Sequence, residues 1–144
     1  MMSNRASEIE VAVVSRVDDE VVAAFRRLIP QLSRSTISRR SCRVGAVLIA
    51  RDLRDSGRIV GTLTLVVFRI PTGVRAWIED VVVDEAIRGR GVGEALSEEA
   101  IRRALGLGAR TVELTSRPSR EAANRLYRRL GFTLRDTNVY RYAP

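Results

Sequence analysis

Trp77 to Leu105 reads WIEDVVVDEAIRGRGVGEALSEEAIRRAL, and its three parts decide the fold. Ile78 to Val83 is an apolar, β-branched run that predicts a buried strand. A polar loop follows, ending in Arg88-Gly89-Arg90-Gly91-Val92-Gly93. The third part, Val92 to Leu105, predicts a helix, with Val92, Leu96, Ala100 and Leu105 spaced for one face. Glu94, Glu98 and Glu99 lie early in it and Arg102 and Arg103 late, as the helix dipole favours. A strand that feeds a glycine-rich loop at a helix N-terminus is an anion cradle. Glycines let backbone N–H groups approach a ligand, and the helix end adds partial positive charge.

Upstream, Ile9 to Ser15 predicts a first strand, and Asp18 is suited to cap a helix. That helix has the stripe Val21, Val22, Phe25, Leu28 and Ile29, and Pro30 is expected at or beyond its end. Gln31 to Arg43 holds four serines and four arginines and reads as a second short helix or a connector near a substrate entrance. Val44 to Arg51 and Ile59 to Ile70 predict a hairpin turned through Asp52 to Gly57. Pro71-Thr72-Gly73 leads into a fourth strand, Arg75 to Val83.

Downstream, Gly106 and Gly108 end the central helix, and Thr111 to Thr115 predicts a fifth strand. A strand–helix–strand unit of this length implies parallel pairing of strands four and five through a right-handed crossover. Ser119 is the expected N-cap of a helix from Arg120 to Leu130, stopped by Gly131. Phe132 to Leu134 and Val139 to Tyr142 predict a final hairpin. The whole reads as one α/β domain over residues 1–144 with a mixed α+β sheet, in the order β-α-(α)-β-β-β-α-β-α-β-β.

Composition removes several chemistries. The 144 residues contain no histidine and no lysine, so all 25 basic residues are arginine. A Schiff-base lysine, a Ser–His–Asp triad and histidine-ligated zinc are therefore excluded, and no metal is expected. Proton transfer falls to Asp, Glu, Tyr, Cys or water. The net charge of +8 suggests an anionic partner. Its arginines are scattered among acids, without a basic stripe interleaved with aromatics, which disfavours nucleic acid. No apolar run approaches the roughly 20 residues of a membrane span. The lone Cys42 and the absence of a leader-like N-terminus make a cytoplasmic location the expectation.

Three glycine-rich patterns compete for the cradle. A Walker A loop needs a lysine and fails. A dinucleotide fingerprint finds Gly89 and Gly91 but meets Glu94 at its third glycine, and it needs a repeated parallel unit. The pattern Arg88-x-x-Gly91-x-Gly93, after a Val-rich strand and opening a helix, resembles the acyl-CoA signature of the GNAT superfamily of N-acetyltransferases. Ala123 to Phe132, ANRLYRRLGF, resembles that family's second landmark, an alanine and a tyrosine on a helix closing with Gly-Phe.

The resemblance implies acetyl transfer from acetyl-CoA to a primary amine by direct attack in a ternary complex. It implies a pyrophosphate held at Arg88, Gly89, Arg90, Gly91, Val92, Gly93 and Glu94, and a pantetheine arm along the fourth strand at Val81, Val82 and Val83, which splays from the fifth. An amide near Val82 or Val83 would meet the thioester oxygen. Tyr127 occupies the position of the family's acid, and Asn124 is a candidate coenzyme contact. Relatives carry asparagine where Arg120 stands, so Arg120 is an alternative phosphate contact. Glu79 is the candidate base, directly or through water, because a carboxylate inside an apolar strand is costly unless used or paired. Asp80 is the alternative base.

The acceptor is left open, with a small-molecule amine favoured over a protein N-terminus or lysine. Ile78 to Asp84, IEDVVVD, resembles the same strand in glucosamine-6-phosphate N-acetyltransferases. A module that binds acetyl-CoA as a sensor, without turnover, is the rival from another class. Families resembling this one often form homodimers.

Overall fold

The computed structural model describes residues 8–32 and 45–144. Its centre is a five-stranded sheet in the order β1-β2-β3-β4-β5. The strands are β1 (Ile9–Val13), β2 (Gly45–Asp52), β3 (Arg58–Ile70), β4 (Gly73–Val83) and β5 (Thr111–Glu113). The first four pair antiparallel, and β5 pairs parallel to β4, the mixed sheet expected from the sequence. Three helices complete it: α1 (Asp19–Leu32), α2 (Val92–Gly106) and α3 (Glu121–Arg129). The predicted second helix lies in Gln31 to Arg43, which beyond Leu32 falls outside the described residues.

Each face of the sheet buries a helix. Leu48, Ala50, Val60, Leu63, Leu65, Ala76 and Ile78 pack with Val92, Leu96, Ala100 and Ala104 of α2. On the other face, Ile49, Ile59 and Val82 pack with Val21, Ala24 and Leu28 of α1. The alternation of side chains along a strand supplies both surfaces from alternate residues of the same strands. Thr62, buried in the sheet, donates its hydroxyl to the Leu48 carbonyl at 3.0 Å, so no polar atom is stranded there. Asp18 caps α1 as expected, accepting from the Val21 amide at 3.0 Å.

Several expectations are corrected. Pro30 lies inside α1, in its last turn, where a missing N–H leaves only one carbonyl unpaired. Arg120, not Ser119, is the N-cap of α3, and no side chain caps it. The fifth strand stops at Glu113 rather than Thr115. The final hairpin is not formed: residues 132–144 contain no strand, and Leu134, Val139, Tyr140 and Tyr142 are exposed. Segments of three and four residues with no helix across them bury too little apolar surface to offset the entropy of ordering.

Candidate active site

The cradle loop is built from its acidic start. The Asp84 amide donates to the Val60 carbonyl at 2.8 Å, tying the end of β4 to β3. Its buried carboxylate accepts from the Ala86 amide at 3.1 Å and caps a short 3-10 turn, Glu85–Ile87. The same carboxylate faces Arg27 Nε at 3.3 Å and Arg58 Nη2 at 3.6 Å, so α1 and β3 both hold it. The Glu85 amide donates to Gln31 Oε1 at 2.9 Å.

The chain then turns through Gly89 at φ +78° and Gly91 at φ +83°, the left-handed region that glycine enters without strain. Gly91 is the N-cap of α2 and offers no side-chain acceptor. The first amides of a helix have no partner within it, so those of α2 are available to a ligand in the cleft they line.

Among the described residues, the neighbouring edge of β4 is also unpaired beyond Trp77. Thr62 pairs with Val82 and Thr64 with Glu79, so Leu63 alone opposes Asp80 and Val81. This is a β-bulge, and Asp80 sits in it at φ +50°. The extra residue reverses which face the strand's side chains take. Ile78 packs on the α2 side before the bulge, and Val82 packs on the α1 side after it. Strand β5 pairs only with Arg75, Ala76 and Trp77. Beyond Trp77, β4 runs on to Val83 without β5 beside it, and Val81, Val82 and Val83 line the cleft.

Tyr127 enters the same cleft from α3. It is buried and meets the Phe132 ring edge-on, with centroids 5.8 Å apart at 69°. Burial pushes its phenol above the usual tyrosine value, and the Arg120 guanidinium opposes this. The phenol is therefore held protonated at neutral pH, the state an acid needs.

Three sequence candidates stand apart from the cleft lining. Asn124 donates its amide to the carbonyls of Arg117 at 3.0 Å and Pro118 at 3.4 Å, bracing the loop between β5 and α3. Glu79 is exposed, accepts a hydrogen bond from the Trp77 indole, and shares a face with its pairing partner Thr64. Asp80 is also exposed.

The cleft has a volume of about 1450 Å³. This exceeds the roughly 300–1,000 Å³ of ordinary small-molecule pockets and suits an elongated ligand. All of Arg88 to Glu94 line it, and α3 adds Arg120, Arg125 and Arg129. Arg88 pairs with Glu85 at 3.6 Å, Arg90 with Asp52 at 3.6 Å and Arg125 with Glu121 at 3.7 Å. Among the described residues, Arg120 and Arg129 have no carboxylate partner. Uncapped amides, unpaired cations and this volume together fit a long phosphorylated ligand. Gln31, from the stretch read as lying near a substrate entrance, lines the cleft, and so do Arg129 and the β1 residues Ile9 and Val11, which sequence reasoning misses. An arginine-rich polar face on α3 is the signal that points to Arg129; nothing local marks the others.

The acetyltransferase (GNAT) family model matches residues 13–132, and the chain belongs to that family. It is an N-acetyltransferase, and the family's general co-substrate is acetyl-CoA. Among solved structures, it is similar to an aminoglycoside acetyltransferase from an uncultured soil metagenomic sample, crystallised with trehalose. That match has 19% identity and a TM-score of 0.80, covering 96% of this chain and 97% of that one. A Trypanosoma brucei acetyltransferase matches at 23% identity and TM-score 0.75, over 94% and 100% of the two chains. Glucosamine-6-phosphate N-acetyltransferase from Arabidopsis thaliana matches at 18% identity and TM-score 0.72, over 93% and 97%. No curated protein sequence matches the chain. Among the described residues, no helix is long and apolar enough to cross a membrane.

Proposed function

We propose that the chain transfers the acetyl group of acetyl-CoA to a primary amine of a small molecule, by direct attack with both bound together. One observation carries this reading: the uncapped start of α2, the β4 edge at Val81–Val83 and Tyr127 meet in a single cleft. Acetyl-CoA supplies the acyl group as an activated thioester. The amides from Arg88 to Glu94, with the α2 dipole behind them, bind its pyrophosphate. An amide at Val82 or Val83 donates to the thioester oxygen as charge gathers there.

Tyr127, which burial keeps protonated until the reaction, gives its proton to the departing sulfur. Glu79 takes the proton of the amine, directly or through water, since an alkylammonium with a pKa of roughly 10 cannot attack. The indole of Trp77 orients its carboxylate. A small acceptor bearing an anionic group, such as an aminosugar phosphate, suits the net charge of +8. The enzymes of similar fold that act on aminoglycosides and on glucosamine 6-phosphate support an amino-sugar acceptor, and the second of these carries the phosphate.

The test is thiol release from acetyl-CoA over a panel of small primary amines, with peptides offering a free N-terminus or a lysine as further arms. Release with a small amine supports the proposal. Release with peptides alone moves the acceptor to protein, and coenzyme binding without release in any arm identifies a sensor.

A further inference from the structure

The cleft's Arg90 faces away from a purely phosphate-binding role, because its guanidinium is paired to a buried carboxylate on a distant hairpin. Asp52 ends β2 and is only 3% exposed. Its Oδ1 accepts from the Arg54 amide at 3.0 Å and lies 3.7 Å from Arg54 Nε, while Oδ2 lies 3.6 Å from Arg90 Nη1. Asp52 is itself fixed: it pairs in register with Ile9, which lines the cleft, and its carbonyl accepts from the Gly57 amide at 2.9 Å. Arg54 is tied in turn to Glu8 at 2.8 Å. A carboxylate taken out of water needs compensating charge, and here one of its two guanidiniums comes from the middle of the cradle loop.

We infer that Asp52 is a positioning residue for coenzyme binding: through Arg90 it anchors the Arg88–Gly93 loop to the β2–β3 hairpin and holds the loop's amides ready for phosphate. The loop needs such an anchor because Gly89 and Gly91 leave its backbone free to take many conformations. The inference rests on the reading that this loop holds the coenzyme pyrophosphate.

The sign of one substitution separates anchoring from simple charge. Asp52→Asn keeps the side-chain oxygen that caps Arg54 and removes only the negative charge. Through-space electrostatics alone makes this variant bind a polyanion more tightly. Anchoring makes it bind more weakly.

Titration of acetyl-CoA by calorimetry, with thermal melting to confirm folding, reads the difference. Asp52→Asn and Arg90→Gln are each expected to weaken binding by roughly tenfold. The double variant is expected to be no weaker than either alone, because both remove the same link. Arg54→Gln, which leaves the Arg90 link intact, is expected to keep wild-type affinity. In the ligand-free protein, Asp52→Asn should speed hydrogen exchange of the amides from Gly89 to Gly93. Unchanged or tighter binding by Asp52→Asn, with Arg90→Gln weakened, overturns the inference and makes Arg90 a direct phosphate contact. Wild-type protein that does not bind acetyl-CoA overturns the proposed function, and with it the role given to Asp52.

Discussion

Gly61 of β3 lies directly beneath Val92, the first residue of α2. A methyl group at Gly61 would come within 2.9 Å of Val92 Cγ1, 3.1 Å of Leu96 Cδ1 and 3.2 Å of the Val82 carbonyl oxygen. The start of the helix that forms the cradle is thus seated on bare backbone, with Val92 and Leu96 fully buried in the contact. Gly61→Ala must push the first turn of α2 outward. We expect a stability loss of about 1–3 kcal/mol, as for other overpacked cores. We also expect weaker acetyl-CoA binding, because the displaced turn carries the amides proposed to bind its phosphates. Melting and calorimetric titration measure the two effects; a loss of stability with unchanged affinity would separate the seat from the cradle.

Tyr127→Phe keeps the ring that packs edge-on against Phe132 and deletes only the hydroxyl. Turnover is expected to fall by roughly 100-fold, the lower end of what a general acid contributes, with acetyl-CoA affinity unchanged. The raised phenol also sets a pH dependence. The ordinary value is 10.0, and burial raises it in the folded chain. The unfolded chain therefore releases this proton first, and stability falls as pH rises beyond that ordinary value. Denaturation curves at increasing alkaline pH should show the decline in wild type and a shallower one in Tyr127→Phe.

Glu79→Gln removes the proposed base without changing the shape of the side chain, and its amide oxygen can still accept from Trp77. The rate is expected to drop by roughly 100-fold and the acid limb of the pH–rate profile to flatten. A wild-type profile in this variant would transfer the role to a water chain or to Asp80.

Asp84→Asn leaves Arg27 and Arg58 facing a neutral group where α1, β3 and the cradle loop converge. Both arginines are partly exposed, so water screens part of the loss. A decrease of about 1–3 kcal/mol in chemical denaturation is expected. Replacing Asp55 instead, an exposed acid paired with Arg58 at 3.6 Å, should change stability little.

The sheet order and the glycine loop that opens α2 were legible because each rests on local pattern. Strand alternation, turn residues and the change to helical spacing after Gly91 carry β1 to β5 and α2. The bulge at Asp80 was not legible: nothing in IEDVVVD marks where one residue is extra, yet it decides that Val82 faces α1 while Ile78 faces α2. Asp52 reads in sequence only as a turn residue, since its partner Arg90 comes from a loop far along the chain. The C-terminal alternation from Phe132 to Tyr142 misled for the opposite reason. Period two shows that a segment suits a strand, but pairing needs a neighbour and a covering layer, and this tail has neither.

Arg88–Gly93 is proposed to receive the phosphates of acetyl-CoA, and Gly91→Val tests this most directly. Valine is strongly disfavoured at φ +83°, and its side chain would enter the open space beside the loop. Calorimetric titration of acetyl-CoA is expected to show binding by the wild-type protein and none by a Gly91→Val variant that remains folded. Equal affinity in the two proteins would contradict the claim.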